Sequence, residues 1–251
     1  MTPEEIFLSF LVYSFCGWLW EDLISLVNEH RFVNRGFLNG PYCPIYGCGA
    51  LLFLFFGQFV ADPIALFFIG GTIACVLEYI TSFTMEKLFN ARWWDYSDWP
   101  LNLNGRICLY GFLGFGAASV AIRYIHPITL SIIRAIPSNN ILAIILAAIF
   151  VIDIISTNQS FAKFNKVLRE YQSIIAKGRV AQFFERNGRK FIQTINDKRR
   201  RIFTHQQVRI LKAFPNFKTH YDEAYNKLQS LYKNSKYEPI KKAKARKTAK
   251  K

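Results

Sequence analysis

The sequence predicts an all-α, polytopic transmembrane helical bundle followed by a basic helical cytoplasmic tail. Hydrophobic residues make up 51% of the 251 residues, and nearly all the long apolar runs fall within residues 1–157. That part contains 7 Lys/Arg and 11 Asp/Glu, whereas residues 158–251 contain 25 Lys/Arg and 6 Asp/Glu. Such charge asymmetry indicates an anionic partner for the second part of the chain.

Five apolar segments of the first part are candidates to cross the roughly 30 Å hydrocarbon core of a bilayer. We expect a transmembrane domain over residues 1–157, with about five spans at 6–27, 42–60, 63–85, 107–125 and 141–156. The second span is rich in Gly and contains Pro44 near its start, so a partly re-entrant path is an alternative to a full crossing. The fifth span is short and ends near Asp153, which we expect at the membrane interface.

The distribution of basic residues predicts the orientation of these spans. Lys and Arg occur in the connections at 28–41 and 86–106 and in the tail, while the N-terminus and the short connection at 61–62 have none. Under the positive-inside rule, an odd number of spans then places the N-terminus outside and the tail in the cytoplasm. The sequence therefore predicts a multi-pass protein of the plasma membrane.

Two spans carry polar stripes at three- and four-residue spacing, which places each stripe on one helical face. A carboxylate at mid-span costs about 2.5–3.5 kcal/mol, so it indicates function by default. We expect the stripes to pack with the small residues of the fourth span, and Glu21 and Glu78 to share a polar interior near the cytoplasmic side. The three faces are Ser14, Gly17, Glu21 and Ser25; Gly71, Cys75, Glu78, Ser82 and Glu86; and Gly111, Gly114 and Ala118.

A purely structural role for these carboxylates is the alternative. Glu21 could lie in water at the cytoplasmic mouth of the bundle, and Asp22 is expected at the surface. Glu78 could form a buried pair with Arg106 or Arg35 that only sets the register of the helices.

Two connections have a composition that is unusual for membrane loops. The first is dense in Gly and Pro, as in a segment that folds back into the bundle, where protein or water must cover irregular backbone. The second interleaves aromatic rings with amides, a carboxylate and guanidinium groups, which together can hold a headgroup or an anionic ligand, although plain anchoring at the headgroup level is the alternative. The candidate pocket residues from these connections are Asn34, Arg35, Trp93, Trp94, Asp95, Asn102, Asn104 and Arg106.

These motifs resemble a known family. Residues 34–38 (NRGFL), 40–47 (GPYCPIYG), 78–79 (EY), 92–97 (RWWDYS) and 102–107 (NLNGRI) occur in the order seen in the bacterial membrane family called putative ABC-transporter type IV, or CmpB-like. The resemblance covers roughly residues 6–157. It implies a small polytopic helical protein of transporter type.

The tail has two predicted parts. Residues 158–240 read as basic helical stretches, beginning with a stripe of Phe161, Phe164, Leu168, Tyr171 and Ile175 at helical spacing, and residues 241–251 are predicted to be disordered. Each basic residue near an anionic leaflet contributes roughly 1 kcal/mol, so we expect membrane-surface contacts with anionic lipids. Contact with RNA or docking of a partner protein are the alternatives. The basic cluster of this region is Arg199, Arg200 and Arg201.

These observations favour a transporter or permease-type subunit with a cytoplasm-facing polar pocket. The sequence has no Gly-x-x-x-x-Gly-Lys-Ser/Thr phosphate loop, so ATP-driven transport would need a separate ATPase subunit, and five spans suggest a homo-oligomer or partners. A membrane-embedded enzyme acting on a lipid or headgroup and a non-catalytic assembly or regulatory protein are the alternatives. No cofactor is expected, and no metal, because Cys43 and Cys48 lack further ligands nearby and the four His are isolated.

Overall fold

The structure is a computed structural model that describes residues 1–29, 34, 36–89 and 91–176, together with 218, 219 and 226. It confirms the all-α fold class. The five helices of the described chain are α1 (Pro3–Glu29), α2 (Pro44–Gly57), α3 (Pro63–Phe89), α4 (Leu109–Ala135) and α5 (Asn139–Ala176). Two short strands, β1 (Ala91–Arg92) and β2 (Lys218–Thr219), have two residues each.

Four helices of the described chain are long and apolar enough to cross a membrane, namely α1, α3, α4 and the first part of α5. Helix α2 has 14 residues and is therefore about 21 Å long, which is less than the roughly 30 Å of a hydrocarbon core. The predicted second span, 42–60, thus contains a helix that is about two thirds as long as the hydrocarbon core is thick, which is compatible with the re-entrant alternative. Helix α5 runs well beyond the predicted end of the fifth span at residue 156.

The chain divides into two compact units, of which the first comprises residues 1–88 and 92–158 and the second residues 89–91 and 159–251. In the second unit, the predicted stripe starts with Phe161, Phe164 and Leu168, and all three are fully buried. Within this unit, the Phe161 ring packs edge-on against that of Phe89 with a centroid distance of 5.1 Å. The predictions for Arg35, Arg199, Arg200, Arg201 and the Lys-rich end at 241–251 lie outside the described residues.

The beginning of α1 is fixed by a capping box and an ion pair. The Thr2 backbone N–H donates to Glu5 Oε2 at 3.0 Å, and the Glu5 N–H donates to Thr2 Oγ1 at 3.3 Å. Glu5 also pairs with Arg134, near the end of α4, at 2.7 Å. Further along, the Tyr13 hydroxyl lies 3.0 Å from His126 Nδ1. These contacts make α1 and α4 antiparallel neighbours.

The connection before α2 lies against the middle of α1. Trp18 Nε1 donates to Asn34 Oδ1 at 3.1 Å, and the Cys43 N–H donates to the Ser14 carbonyl at 2.8 Å. Helix α2 therefore starts halfway along α1 and runs back toward the end of the bundle where α1 begins. The connection is non-helical backbone of which Gly36, Leu38 and Cys43 are buried, whereas Asn39 and Pro41 are exposed.

Glycines permit the closest helix contacts, but not all of those expected. A Cβ on Gly70 would overlap Ser119, and one on Gly71 would lie 2.8–2.9 Å from atoms of Phe112. Gly114, in contrast, has nothing within 4 Å of the position that a Cβ would occupy, so the prediction that it packs against the polar stripes is wrong. The close α3–α4 contact uses Gly116 instead, since its Cβ would lie 2.9 Å from the Phe67 backbone oxygen.

We expect Gly47→Ala to destabilise the bundle by about 1–3 kcal/mol, because its Cβ would lie 2.5 Å from the Phe10 backbone oxygen, which cannot rotate away. The matched control is Gly49→Ala on the same helix, where the nearest atom, Leu77 Cδ2, lies at an ordinary 3.6 Å. Thermal unfolding of both variants in detergent tests this. Equal midpoints for the two variants would show that α2 does not pack against α1 at Gly47.

Candidate functional site

Two carboxylates in the interior of the first unit are each bound by one tyrosine. The Tyr46 hydroxyl donates to Glu21 Oε1 at 2.5 Å, and the Tyr96 hydroxyl donates to Glu78 Oε1 at 3.0 Å. Both pairs lie near Phe115: its ring centroid is 5.8 Å from that of Tyr46, and its Cε2 and Glu78 Oε2 both lie within 4 Å of the position that a Cβ of Gly111 would occupy. We call these four residues the carboxylate–tyrosine site. It receives side chains from α1, α2, α3 and the connection between α3 and α4.

Helix packing explains how Tyr46 reaches Glu21. Position 17 of α1 is a glycine, and any Cβ there would overlap the ring carbons of Tyr46. The ring therefore lies directly on the α1 backbone, one helical turn before Glu21, and also packs against Phe115 with a centroid distance of 5.8 Å. Ser14, Gly17 and Glu21 of the predicted stripe thus form the surface on which α2 begins.

Glu78 is the most deeply buried member of the site. Its residue is 5% exposed, and its Oε2 has no hydrogen-bond partner among the described residues. This oxygen lies 3.6 Å from the position that a Cβ of Gly111 would occupy, in the first turn of α4. The unpaired oxygen of Glu78 therefore lies beside the first turn of α4.

The second connection is folded so that Tyr96 points at Glu78. Gly105 has a φ of +66°, and a Cβ at this position would collide with Asp95, so only glycine fits the turn. Asp95 Oδ1 accepts from the Ser97 N–H at 3.1 Å, and the Tyr96 N–H donates to the Gly105 carbonyl at 2.8 Å. Burial, followed by the neighbouring Glu78 carboxylate, raises the pKa of the Tyr96 hydroxyl, which therefore stays protonated and donates.

Most of the predicted pocket residues of the connections hold these connections together. Asn102 bonds to the carbonyls of Ser97 and Trp99, and Asn104 donates to the Tyr79 hydroxyl at 3.0 Å. In the same connection Trp94 Nε1 donates to the Arg106 carbonyl at 3.0 Å. In the first connection, Asn34 Oδ1 accepts a hydrogen bond from the Gly36 N–H at 2.9 Å. The Trp93 ring lies edge-on to the Phe37 ring, with a centroid distance of 5.4 Å.

The Arg106 side chain is buried against α3, where acidic, hydroxyl and aromatic groups surround its guanidinium. Its guanidinium donates to Glu86 at 2.6 Å and to Ser82 at 2.9 Å, and it lies over the rings of Tyr79 and Phe83 at 5.6 and 5.5 Å. The alternative in which Glu78 pairs with Arg106 is therefore wrong, because Arg106 meets the next acidic residue of the same stripe, two helical turns beyond Glu78.

Asp153 is the centre of a cluster that the sequence did not indicate. Its carboxylate accepts from the Gly40 N–H at 2.8 Å, from Asn39 Nδ2 at 2.8 Å and from the Tyr42 hydroxyl at 2.6 Å. The Thr157 hydroxyl adds a further donor at 3.1 Å. Asp153 thus holds the irregular connection against α5 and is not simply solvated at an interface.

The structure places further residues differently from the sequence predictions. Asp22, expected at the surface, is 1% exposed. Tyr46 and Tyr96, which no sequence pattern indicated, supply the hydroxyl groups of the site. Both lie within the motif-rich connections or directly after them, so their only sequence signal was a tyrosine in a Gly/Pro-rich or Trp-rich segment.

We expect Arg106→Gln to destabilise the bundle by about 1–3 kcal/mol, because it removes the charge-assisted hydrogen bonds to Glu86 and Ser82. Its matched control is Arg92→Gln, which removes the other guanidinium on Glu86, 2.8 Å away but with a side chain 25% exposed instead of 8%. For this more exposed pair about 0–1 kcal/mol is expected. Chemical unfolding in detergent compares them, and equal losses would contradict a dominant role for Arg106.

We expect Asp153→Ala to release the connection that precedes α2 and so expose the buried Cys43, since three of its bonds come from Asn39, Gly40 and Tyr42. In chains that retain Cys43 as the sole cysteine, maleimide labelling should accelerate about tenfold or more. Thr157→Val, which removes a donor from the same helix as Asp153, is the control. Unchanged labelling in Asp153→Ala would refute the assignment.

The chain was compared with protein families, curated proteins and solved structures. The family model described as "Putative ABC-transporter type IV" matches residues 8–158, which is more than half of the chain and includes the whole carboxylate–tyrosine site. No curated protein and no solved structure matches the chain. The family and the apolar helices together fit a membrane transporter-like protein. The chain belongs to the putative ABC-transporter type IV family.

Proposed function

We propose that this chain is a permease-type transport subunit whose carboxylate–tyrosine site forms a polar pocket open to the cytoplasm. The observation that carries the proposal is a pair of carboxylates, the half-buried Glu21 and the buried Glu78, each with a tyrosine donor, while Glu78 Oε2 has no partner among the described residues. A structural ion pair would satisfy the carboxylates fully. A ligand site keeps part of its bonding capacity for the ligand.

The discontinuous second crossing supports the same proposal. In many transporters the substrate site lies where a spanning helix is broken, because the broken helix leaves backbone groups and a helix end inside the bundle. Here α2 begins next to Ser14 of α1, and its first turn contains Tyr46 of the site. The break and the carboxylates therefore coincide.

The alternative of an enzyme with an anion holder is less favoured by the geometry. Arg106, whose guanidinium was expected to hold a headgroup, instead donates hydrogen bonds to Ser82 and Glu86. The same group lies over the rings of Tyr79 and Phe83. The proposal includes a separate ATPase subunit, which would supply the energy for transport, or a second copy of the chain, which would supply further membrane-spanning helices. The basic tail is proposed to contact anionic lipids on the cytoplasmic side.

The pocket is tested with charged thiol reagents, which need no knowledge of the substrate. In a chain without its native cysteines, we expect Tyr96→Cys to react about tenfold faster with a cationic methanethiosulfonate than with an anionic one, because Glu78 and Glu21 attract the cation. Membrane-impermeant reagents should label it from the cytoplasmic face only. Adding Glu78→Gln should reduce the preference for the cation.

Trp99→Cys is the control, because Trp99 is 46% exposed in the same connection and bonds to Tyr96 and Asn102 through its backbone, which the substitution keeps. It should show a smaller cation preference, which Glu78→Gln leaves unchanged. Labelling of Tyr96→Cys from the opposite face, or without any preference for the cation, would refute the cytoplasm-facing pocket.

A further inference from the structure

Glu78 is buried without a positively charged partner in the part of the chain that the structure describes. The residue is 5% exposed, and the Tyr96 hydroxyl donates to its Oε1 at 3.0 Å. Its second oxygen, Oε2, has almost no accessible surface and no hydrogen-bond partner among the described residues. A carboxylate in such surroundings is costly, because burial removes the water that stabilises its charge and no cation takes the place of that water.

The cation on the same face of α3 bonds to another carboxylate. Arg106 donates to Ser82, one helical turn beyond Glu78, at 2.9 Å and to Glu86, two turns beyond it, at 2.6 Å. Arg92 also donates to Glu86, at 2.8 Å. Glu78 and Glu86 therefore lie on one stripe in opposite electrostatic surroundings, since two guanidinium groups bond to Glu86 and none among the described residues bonds to Glu78.

The other titratable groups that surround Glu78 in the described chain supply no positive charge. Glu78 Oε2 and the Cys108 sulfur both lie within 4 Å of the position that a Cβ of Gly111 would occupy. Thiols and phenols are neutral in their ordinary protonated form, and Glu21 can only add negative charge. The groups are Cys75 on α3, Cys108 before α4, Tyr96 of the second connection, and the Tyr46–Glu21 pair, which lies near the same Phe115 ring.

A proton neutralises Glu78 without needing space beside Oε2. A metal ion or an ammonium group would have to contact an oxygen that has almost no accessible surface, whereas a proton can attach to Oε1, where Tyr96 already bonds. The new Oε1–H group donates to the Tyr96 oxygen, because a phenol oxygen accepts as well as donates. Oε2 becomes the carbonyl oxygen of a neutral acid, and an unpartnered neutral oxygen costs less than an unpartnered charged one.

From this geometry we infer that Glu78 is a proton-binding site of the pocket, protonated at neutral pH and ionised at alkaline pH, and that Tyr96 exchanges its proton with the cytoplasm. This inference rests on the proposed function, since the exchange route requires the second connection to face the cytoplasm. It adds the proton as an ion that the pocket binds.

The exchange step uses the hydroxyl group of Tyr96 as a relay. Tyr96 is half-buried, and the residues that follow it in the second connection, Ser97, Asp98 and Trp99, are exposed. During uptake, the Tyr96 O–H proton moves to Glu78 Oε1 while the phenol oxygen takes a proton from water. The tyrosine is unchanged by this step, and the carboxylate has become a carboxylic acid. Release of the proton is the reverse step.

The charge-selective labelling of Tyr96→Cys should depend on pH for the same reason. Thiol reagents attack the thiolate, so that labelling is measured at alkaline pH, where Glu78 is ionised and attracts the cationic reagent. At neutral pH Glu78 is uncharged, and the part of the cation preference that Glu78→Gln removes should be absent. A Glu78-dependent preference of equal size at both pH values would overturn the inference.

The direct test is infrared spectroscopy of the full chain in vesicles of an ether-linked phosphatidylcholine, which has no ester carbonyl to overlap the signal. We expect the wild-type chain at neutral pH to show the carbonyl band of a protonated carboxyl group, and Glu78→Gln to lose it. The matched control is Glu86→Gln on the same helix, which should keep the band, because Glu86 is paired with Arg92 and Arg106. The same neutral-pH band in the wild type and in Glu78→Gln would refute the assignment.

Two tyrosine variants keep the inference testable even if Glu78→Gln fails to accumulate. Tyr96→Phe removes the donor of Glu78, so the band should persist to a pH about one unit higher, because a hydrogen bond to the charged form is stronger than one to the neutral form. Tyr110→Phe is the control, since Tyr110 is 57% exposed and its ring contacts Trp99. Loss of the band at the same pH in both variants would count against the role of Tyr96.

Failure of this inference and failure of the proposed function are distinguishable. If Tyr96→Cys shows cytoplasmic access and a cation preference while no protonated-carboxyl band belongs to Glu78, the pocket stands and the proton site is wrong. If the band belongs to Glu78 while Tyr96→Cys is inaccessible from the cytoplasm, the proton site stands and the cytoplasm-facing pocket is wrong.

Discussion

The constraint on which the structure depends is the insertion of irregular backbone into the bundle. Helix α2 is shorter than the hydrocarbon core of a bilayer, and the connection before it is non-helical backbone that bonds to the middle of α1. Every N–H and C=O of such a segment must find a partner inside the protein. The carboxylate of Asp153 and the carbonyl of Ser14 provide several of these partners. Without them the start of α2, and Tyr46 with it, would have no fixed place.

The second connection obeys the same constraint from the other side of the site. The guanidinium of Arg106 holds this connection to α3. The turn at Gly105 also fixes it, because glycine adopts the positive φ and its missing Cβ leaves room for the Asp95 side chain. Its return places Tyr96 on Glu78. Two non-helical connections thus deliver one tyrosine each to two helical carboxylates. Residues that a sequence pattern identifies as pocket residues can therefore serve to position other residues, as Asn102 and Arg106 do here.

Glycines of α1 and α2 determine how closely the two helices approach at the carboxylate–tyrosine site. At Gly17 and Gly47 the missing side chain lets α2 lie directly on α1, and the space is filled by Tyr46 and Ser14. This close contact stabilises the bundle, because helices pack closely at small residues.

The sequence by itself determined the fold class, most of the helices and the polar stripe of α3, because hydropathy and helical periodicity are local properties of the chain. The burial of Gly71, Glu78 and Ser82 follows that stripe. Only the tertiary structure decided which charges meet, because a pairing between distant segments depends on how far each connection returns into the bundle. For this reason Arg106 reached Glu86 instead of Glu78, Gly114 had no packing partner, and Asp153 became the support of a connection more than a hundred residues earlier. The roles of Tyr46 and Tyr96 could not be predicted for the same reason. Which carboxylate a tyrosine hydroxyl bonds depends on the path of the backbone through the bundle, and the local sequence does not determine that path.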